Sequence, residues 1–262
     1  MKSFFVILIF KLILITASIS EANLPLQFTV GSYNLYGLRN ENDLKKDLNS
    51  LSNVQIWAFQ EVEGNFSEKT EQKLKNILPS GEWYIFSQKV NLLDQKKGVW
   101  EGQVIASRFP ILSVEVIPLN HSGQKKRVAL VANFKTENGE NFFFANTDHE
   151  VQIFSIDFND RKKQLLSLVE YFNKTESMGV IAGDFNTTGG DEEISNTEEI
   201  MDQAQLKRAT SSGQNTCTFE KMFIKNELDH FFSRGVDFSA RHRFDGRKGS
   251  DHYPIYMDIN LL

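Results

Sequence analysis

The stretch Met178-Gly179-Val180-Ile181-Ala182-Gly183-Asp184-Phe185-Asn186 joins a short apolar run to a carboxylate and an amide. An apolar run of this length, bounded by glycine, predicts a buried β-strand over 178–182. Asp184 and Asn186 follow where that strand ends, and strand ends are rigid positions on which layered α/β folds commonly assemble their sites. The stretch therefore predicts both a central strand and a polar site at its end.

The same arrangement recurs along the chain. Apolar strands run directly into carboxylates, amides or histidines at five further places: Tyr33-Asn34, Gln60-Glu61, Asn146-Thr147-Asp148-His149, Leu228-Asp229-His230 and Ser250-Asp251-His252-Tyr253-Pro254. If these strand ends converge at one edge, their side chains line one cleft that is rich in acids, amides and imidazoles. We therefore expect a single site built from six separate segments.

The remaining sequence alternates between strand and helix patterns. Helical spacing of apolar residues predicts a helix over 160–173, an acidic start predicts another over 191–208, and Glu137-Asn138-Gly139-Glu140 is typical of a hairpin turn. Hairpins mixed with helical connections predict the α/β class, as a sandwich of two sheets with helices outside. Because no linker or repeat interrupts the pattern, we expect one domain over residues 21–262.

The first twenty residues have the pattern of a signal peptide. Lys2 precedes the apolar stretch Phe4–Ile15, which only Lys11 interrupts, and small residues follow at Ser18 and Ser20. The alternative is an uncleaved membrane anchor, but a spanning helix needs about 20 apolar residues, and this stretch is shorter. We expect cleavage after residue 20 and a secreted or periplasmic protein.

The charge balance limits the classes of partner. The chain has 262 residues, with 29 Lys and Arg against 34 Asp and Glu and a net charge of −5, which argues against binding polyanions by bulk charge. A local exception is Arg234–Lys248, a basic segment directly before Ser250-Asp251-His252. The single cysteine, Cys217, excludes an intrachain disulfide. Nothing in the sequence demands a protein partner or more than a monomer.

The residue types of the predicted cleft suit the hydrolysis of a phosphate ester. Carboxylates and amide oxygens are hard ligands that favour Mg²⁺ or Mn²⁺, and such a cation polarises a phosphoryl oxygen. A histidine held by a carboxylate can take a proton from water, because imidazole titrates near neutral pH. Asparagine side chains add neutral donors for the oxygens of the transition state.

In this order the motifs resemble the endonuclease/exonuclease/phosphatase superfamily. They are Tyr33-Asn34-Leu35, Gln60-Glu61, Ser107-Arg108-Phe109-Pro110, Gly183-Asp184-Phe185-Asn186, Leu228-Asp229-His230 and Ser250-Asp251-His252-Tyr253-Pro254, and the likeness extends over residues 28–262. The resemblance implies a four-layer α/β sandwich, in which two mixed β-sheets pack face to face with helices outside. It also implies a metal-dependent phosphoesterase with Mg²⁺ as cofactor and Mn²⁺ as an alternative.

The resemblance assigns roles to residues at the matching positions. Glu61 would be the principal metal ligand, with Asn34 and Asp251 beside it. His252 would be the general base that activates water, and Asp229 would orient its imidazole.

Three further residues follow from the same likeness. Asp184 would assist proton transfer or align the nucleophile, and Asn186 would bind the phosphoryl group. Arg161, at the start of the helix after the His149 strand, would brace the site or contact substrate, although a solvated helix face is the simpler interpretation.

One position departs from the family pattern. Family members usually place a histidine at the end of the middle strand. In this chain Asp148 stands at that position, and His149 follows one residue later. Side chains on a strand alternate between faces, so either a bulge returns His149 to the phosphate or Asp148 occupies the position. We expect His149, because a phosphate contact prefers a donor. Glu101 is expected to pair with it, and Tyr36 stands where abasic-site nucleases carry an acidic metal ligand.

Three functions remain open at this point. The first is a secreted, metal-dependent nuclease acting on DNA or RNA, for which the basic segment Arg234–Lys248 would supply cations at the rim. The second keeps the chemistry with a phospholipid substrate, sphingomyelin or a phosphoinositide, and Leu92, Leu93 and Trp100 would then touch a membrane. The third is an inactive binding or effector protein, which only the unusual Asp148-His149 favours.

Overall fold

The computed structural model describes residues 23–120, 125–151, 158–187, 190–213 and 216–261. The predicted signal peptide, residues 1–20, lies outside them. The strands, in chain order, are β1 (Gln27–Asn34), β2 (Ile56–Gly64), β3 (Tyr84–Asp94), β4 (Val99–Ser107), β5 (Ser113–Leu119), β6 (Arg127–Lys135), β7 (Asn141–Asp148), β8 (Met178–Asp184), β9 (Lys207–Arg208), β10 (Phe219–Lys221), β11 (Ile224–Asn226), β12 (Asp229–Arg234), β13 (Asp237–Phe238), β14 (His242–Arg243) and β15 (Ile255–Asn260).

These strands form two mixed sheets, each with one parallel pair of strands in its interior. The first sheet has the order β13-β15-β1-β2-β4-β3, with β14 also paired to β15, and the second has the order β5-β6-β7-β8-β12-β9. One parallel pair lies inside each sheet, β1 with β2 and β7 with β8, and their other pairings are antiparallel. The hairpin β10–β11 pairs with neither sheet among the described strands.

The two sheets pack face to face through alternate residues of their strands. Val30 and Ala58 from the first sheet share one buried apolar cluster with Phe144 and Val180 from the second. Because side chains on a strand point alternately to opposite faces, the intervening residues of each strand are available to an outer layer.

Helices cover both outer faces. They are α1 (Glu41–Ser50), α2 (Glu68–Ile77), α3 (Phe158–Phe172) and α4 (Asp191–Asp202). Leu44 of α1 packs with Trp57 of the first sheet, and Leu168 of α3 packs with Phe143 of the second. The layers are thus helix, sheet, sheet and helix, which confirms the expected α/β sandwich. No helix in the described part of the chain is long and apolar enough to cross a bilayer.

The helix predicted over 191–208 is six residues too long at its C-terminal end. The helix stops at Asp202, Gln205 has a left-handed φ of 58°, and Lys207–Arg208 forms β9 against β12. The acidic pattern at the start of the helix was informative, but the pairing of Lys207 and Arg208 with β12 is a tertiary contact that helix propensity does not encode.

Candidate active site

The predicted strand ends meet at one edge of the sandwich. In the first sheet the parallel strands β1 and β2 pair Asn34 with Gln60, and in the second the parallel strands β7 and β8 pair Asp148 with Asp184. Strand β12 starts at the same edge, because Asp229 pairs with Asp184. The carboxyl ends of two parallel pairs therefore supply one site from two sheets.

Glu61 is placed by a break in its strand. The register between β2 and β4 shifts between Phe59 and Val62, and Glu61 has a left-handed φ of 50°. A bulge of this kind re-aims a side chain, and a non-glycine residue in this conformation is commonly found at a functional site. Asn34 Nδ2 donates to Glu61 Oε1 at 3.0 Å and to Asp184 Oδ2 at 3.2 Å. Asn34 thus joins the carboxylates of the two sheets.

His252 lies between two buried carboxylates. Its Nδ1 is 2.9 Å from Asp229 Oδ2, and its Nε2 is 3.7 Å from Asp184 Oδ2. All three side chains are buried, and the ring of Phe219 lies edge-on to the imidazole with centroids 5.0 Å apart. The imidazole is therefore fixed through one nitrogen, and its other nitrogen faces Asp184.

The charges in this group act strongly on one another. Burial alone would lower the pKa of His252, but the carboxylates of Asp229 and Asp184 outweigh it and raise that pKa to about 10. Burial, and then the Asp229 carboxylate, raise the pKa of Asp184 well above its usual range, against the opposing effect of His252. In the metal-free group the two carboxylates therefore favour a protonated imidazole, and a divalent cation bound beside them would oppose that charge and lower the pKa of His252.

Asp251 lies beside a lysine at the mouth of the site. Lys221 Nζ is 3.0 Å from Asp251 Oδ2 and 3.1 Å from the hydroxyl of Tyr36. The same ammonium lies 4.4 Å from the centre of the half-buried Tyr36 ring, and the Arg39 guanidinium lies 4.3 Å from it. Tyr36 thus presents an aromatic ring flanked by two cations next to a carboxylate.

The loop that carries Asp251 and His252 is anchored by a buried carboxylate. Asp47 of α1 accepts the backbone N–H of Lys248 at 2.9 Å and that of Gly249 at 2.8 Å, and the Tyr33 hydroxyl donates to it at 2.8 Å. A Cβ on Gly249 would lie 2.6 Å from the backbone nitrogen of Leu44. Only glycine lets the loop approach the helix so closely.

Asn186 lies next to this group and supports it. It has a left-handed φ of 51°, its backbone N–H donates to Asp184 Oδ1 at 2.9 Å, and its Nδ2 donates to the His149 carbonyl at 2.8 Å. The described contacts of Asn186 therefore hold Asp184 and the end of β7 in place.

The structure does not bring His149 to the His252 group. Its buried ring stacks on Phe185 with centroids 4.9 Å apart, and neither ring nitrogen has a hydrogen-bond partner among the described residues. Burial, and then Arg127 and Arg161, lower the pKa of His149 to about 3. The ring lines a small cavity beneath α3 and α4 instead. β7 pairs with β8 without a bulge up to Asp148, so the expected correction of register is absent there.

Asp148 occupies the inner face that His149 was expected to reach. It shares this face with Asn146, and Arg127 Nη1 lies 2.8 Å from Asp148 Oδ1. Burial raises the pKa of Asp148 to about 7, against the lowering effect of Arg127. Glu101 pairs with Lys125 at 3.1 Å rather than with His149. The expected histidine–glutamate pair is thus replaced by a set of acids with Arg127 and Lys125 as their cations.

Arg161 is also placed outside the group. It is buried, pairs with Glu193 of α4, and donates through Nη1 to the Glu150 carbonyl at 3.3 Å. Its side chain lines the cavity beside His149. The described contacts thus favour a bracing role between α3, α4 and the end of β7.

The four arginines of the basic segment Arg234–Lys248 are bonded to backbone carbonyls, whereas Lys248 is exposed. Arg234 donates to the carbonyls of Phe172, Thr175, Ser177 and Ala204, Arg241 donates to those of Asp229 and Thr216, Arg243 to that of Cys217, and Arg247 to those of Ser250 and Glu220. Guanidinium groups can satisfy several buried carbonyls at once because they carry five donors. The local charge was read correctly from the sequence, and donors of these four arginines are taken up by backbone carbonyls, for Arg247 those of Ser250 and Glu220 beside the site.

The donor set of the site fits a hard divalent cation. Glu61, Asp251 and Asp184 offer carboxylate oxygens, Asn34 an amide oxygen, and Asp229 Oδ1 is buried without a hydrogen-bond partner among the described residues. Asp184, Asp229 and His252 also bring ligand atoms within 4.8 Å of one another. Oxygen-rich sites of this kind favour Mg²⁺ or Mn²⁺.

Several residues that support the site were given no role by the sequence interpretation. Gln60 Nε2 donates to Asn146 Oδ1 at 2.8 Å, and Asn146 Nδ2 donates to the carbonyls of Phe59 and Val104. This buried amide pair joins the two sheets directly beneath the site. The signal available in the sequence was an amide inside an otherwise apolar strand. Arg127, a charged residue that opens the apolar strand β6, gave a similar signal.

A family model for the endonuclease/exonuclease/phosphatase family matches residues 31–252. The chain belongs to this family. The match includes every strand end that contributes to the site, from Asn34 to His252. Membership makes the chain a phosphoesterase by family. Among curated proteins, none matches the sequence.

Solved structures with the same fold are distant in sequence. A family member from Leptotrichia buccalis C-1013-b is 16% identical, with a TM-score of 0.70 over 89% of this chain and 100% of the other. A Danio rerio (D. rerio) TDP2 complexed with single strand DNA product is 18% identical, with a TM-score of 0.68 over 90% and 99%. The human Nocturnin catalytic domain with bound sulfate is 15% identical, with a TM-score of 0.68 over 90% and 94%. At these identities the likeness shows the fold.

Proposed function

We propose that this protein is a secreted, divalent-metal-dependent nuclease that hydrolyses phosphodiester bonds of DNA or RNA. The observation that carries the proposal is the position of His252, held at Nδ1 by Asp229 and facing Asp184 through Nε2. A histidine oriented by a carboxylate can exchange a proton with a reacting water through its free nitrogen. The buried surroundings strengthen each charge interaction within the group.

The proton of the attacking water passes to the His252–Asp184 pair. Asp229 fixes the imidazole so that Nε2, rather than Nδ1, meets the water. Asn186 keeps Asp184 in position through its backbone N–H, and Asn34 links Asp184 to Glu61. Each residue therefore orients the acceptor before the substrate arrives.

Glu61, Asp251 and Asn34 would hold the divalent cation, Mg²⁺ or Mn²⁺. The chemistry that such an ion supplies is polarisation of a phosphoryl oxygen and neutralisation of charge on the leaving group. Lys221 pairs with Asp251 in the described structure, so this carboxylate is already placed next to a positive charge.

A nucleic acid is favoured as substrate by the rim of the site. Tyr36 with Arg39 and Lys221 forms an aromatic and cationic surface next to Asp251, and such surfaces suit the bases and phosphates of a single strand. The TDP2 structure with a single-strand DNA product supports the proposal by fold analogy. Secretion rests on the N-terminal sequence pattern.

The test is cleavage of supercoiled plasmid and of RNA by the purified full chain with Mg²⁺ and with Mn²⁺. We expect nicking by the native protein and by Leu112→Ala, an exposed change at the opposite end of β5 from the site, and loss of nicking in His252→Ala. Intact plasmid and RNA with both cations would contradict the nuclease proposal.

A phospholipid substrate is the second candidate, because Leu92 and Leu93 are exposed on β3 near the end of the sheet that carries the site. Sphingomyelin and phosphoinositide vesicles, assayed for phosphocholine and for free phosphate with the same variants, test it directly. Product release that depends on His252, without plasmid cleavage, would favour this candidate. Turnover of either kind also removes the idea of an inactive binding protein.

A further inference from the structure

The hairpin β10–β11 carries the most exposed apolar side chains of the described residues. Lys221 pairs with Ile224, so Met222 and Phe223 form the turn between the strands. Met222 is 88% exposed, Phe223 101% and Ile224 57%, whereas no other large hydrophobic in the described ranges exceeds 51%. Contiguous apolar side chains on the surface indicate an interaction site. We refer to residues Met222, Phe223 and Ile224 as the hairpin tip.

The base of this hairpin is built into the active site. The Phe219 ring contacts the imidazole of His252, the Glu220 N–H donates to the Asp251 carbonyl at 2.9 Å, and Lys221 pairs with Asp251. At about 3.3 Å per strand residue, the tip lies on the order of 10 Å from Asp251 along the hairpin. The position of the tip relative to the reacting phosphate is therefore set by residues of the site itself.

Two lysines flank the tip, and both keep a large exposed fraction, 46% for Lys221 and 63% for Lys225, although Lys221 pairs with Asp251 at 3.0 Å and Lys225 with Glu220 at 3.1 Å. The sequence Lys221-Met222-Phe223-Ile224-Lys225 places a lysine on each side of the three apolar residues. Lys221 also faces the Tyr36 ring next to the site. Alternating cations and aromatic surfaces are typical of proteins that bind single-stranded nucleic acid, in which bases stack on rings and phosphates meet cations.

We propose that Phe223 stacks on an unpaired base of a nucleic-acid strand whose phosphate lies at His252, with Lys221 and Lys225 next to the neighbouring phosphates. The inference rests on the proposed nuclease function and adds to it a preference for unpaired strands. A fully exposed ring offers its faces to a base, whereas bases inside a duplex are already covered by their neighbours, and unstacking them costs free energy.

A membrane is a weaker occupant of the same tip. Even a single myristoyl chain gives only marginal, reversible membrane binding, and three side chains supply little more apolar surface. Base stacking does not need to anchor the protein alone, since the phosphate is held at the site at the same time.

The test measures binding without turnover, in a His252→Ala background. The probe is a labelled oligothymidylate of about 12 nucleotides, within the usual range of single-strand sites, and the readout is fluorescence polarisation. Phe223→Ala should weaken binding about 5- to 150-fold, which corresponds to the usual loss of one stacked base. Leu112→Ala removes a comparable exposed side chain far from the hairpin and should not change binding.

A tryptophan at the tip gives a readout that does not depend on affinity alone. Phe223→Trp should keep the binding of the native ring, and its emission should be quenched by the oligonucleotide. Phe223 is fully exposed and has no core contacts to lose, so these variants should fold as the native chain does, which circular dichroism checks. A blunt duplex of the same length should bind more weakly and quench less.

The outcomes separate this inference from the proposed function. If Phe223→Ala and Leu112→Ala bind the oligonucleotide equally while plasmid is still cleaved, stacking is overturned and the nuclease stands. If plasmid, RNA and oligonucleotide are all ignored, both proposals fall. Quenching of Phe223→Trp by phosphatidylcholine vesicles, without any response to oligonucleotide, overturns stacking in favour of a lipid surface.

Discussion

The carboxylate of Asp47 accepts the backbone N–H of Gly249 at 2.8 Å, although the two residues are 202 positions apart in the chain. Asp47 belongs to α1, and Gly249 precedes Asp251 and His252 by two and three residues. This contact fixes the loop that presents the imidazole, so the outer helix of the first sheet controls the geometry of a site that lies between the sheets.

Replacing Asp47 should therefore impair activity without removing a group that touches substrate. Asp47→Ala leaves the donors of Tyr33, Lys248 and Gly249 without their acceptor, and we expect the free energy of unfolding to fall by about 2–3 kcal/mol. Displacement of His252 should lower kcat about 10- to 100-fold, with a smaller change in KM. Lys45→Ala, an exposed change on the same helix, is the control and should match the native protein in urea unfolding and kinetics. Equal kcat for both variants would contradict the role of Asp47.

Asp229→Asn should separate the orientation of His252 from its presence. The amide keeps the shape of the side chain but favours the wrong tautomer, and the equivalent change in serine protease triads lowers kcat about ten thousand-fold. Because the Asp229 carboxylate raises the pKa of His252, its removal should also lower that pKa, which a histidine NMR titration of the metal-free protein can follow. Asp237→Asn, on the exposed strand β13, is the matched control. An unchanged His252 titration in Asp229→Asn would count against the described pair.

The neutral ring of His149 should make the fold sensitive to acid. Its pKa is lowered to about 3 in the folded state, against about 6.5 when unfolded. Between these values the unfolded chain binds the additional proton, so the stability due to this residue is present above pH 6.5 and is lost as the pH falls, by about 1.4 kcal/mol per pH unit. The pKa of Asp148 is raised to about 7, so the stability due to Asp148 changes with pH in the opposite direction and is lost as the pH rises.

His149→Phe isolates this effect from that of Asp148. The variant keeps an aromatic ring on Phe185 and has no nitrogen to protonate, so its free energy of unfolding should fall less between pH 6.5 and pH 4 than that of the native protein. Urea unfolding at several pH values measures the slope of the free energy of unfolding against pH for each of the two proteins. Parallel slopes would show that His149 is not the buried neutral residue described here.

Arg127 should matter more for stability than either of its partners. Arg127→Met leaves the buried Asp148 without its cation and removes the partner of Glu150, and breaking a buried ion pair in this way costs about 3–5 kcal/mol. Adding Asp148→Asn should recover part of the loss, because the unpaired charge is then removed. Lys126→Met, at the exposed neighbouring position, is the control for urea unfolding. A single Arg127→Met variant as stable as the control would be inconsistent with this pair.

Much of the fold, and of the group formed by His252, Asp229 and Asp184, could be predicted from the local sequence. The ends of β1, β2 and β8 could be predicted because an apolar run followed by a polar residue is a short-range signal, whereas Asp229 stands at the start of β12. Asp47 could not be predicted as an anchor, since its partners in the loop, Lys248 and Gly249, lie more than 200 residues away and their contact depends on how α1 packs. His149 shows the limit most clearly, because a shift of one residue on a strand reverses the face of the side chain.

The basic segment Arg234–Lys248 shows a different limit. Its charge can be counted from the sequence, but the direction of a long side chain depends on which carbonyls the fold leaves without partners. Helix propensity likewise predicted the start of α4 at Asp191 but not its end at Asp202. The chain leaves the helix there and then forms β9, which pairs with β12.

His252 comes from a loop of the first sheet, whereas Asp229 and Asp184 are carried by the second, and the Gln60–Asn146 amide pair lies at the seam between them. The reactive centre is therefore divided between two bodies, and neither half can work alone. A parting of the sheets by an ångström or two would leave every strand intact and yet separate the imidazole from its carboxylates. Hydrolysis should then fail on heating before the strands melt, which makes enzymatic activity a more sensitive gauge of how tightly the two halves are joined than any measure of secondary structure.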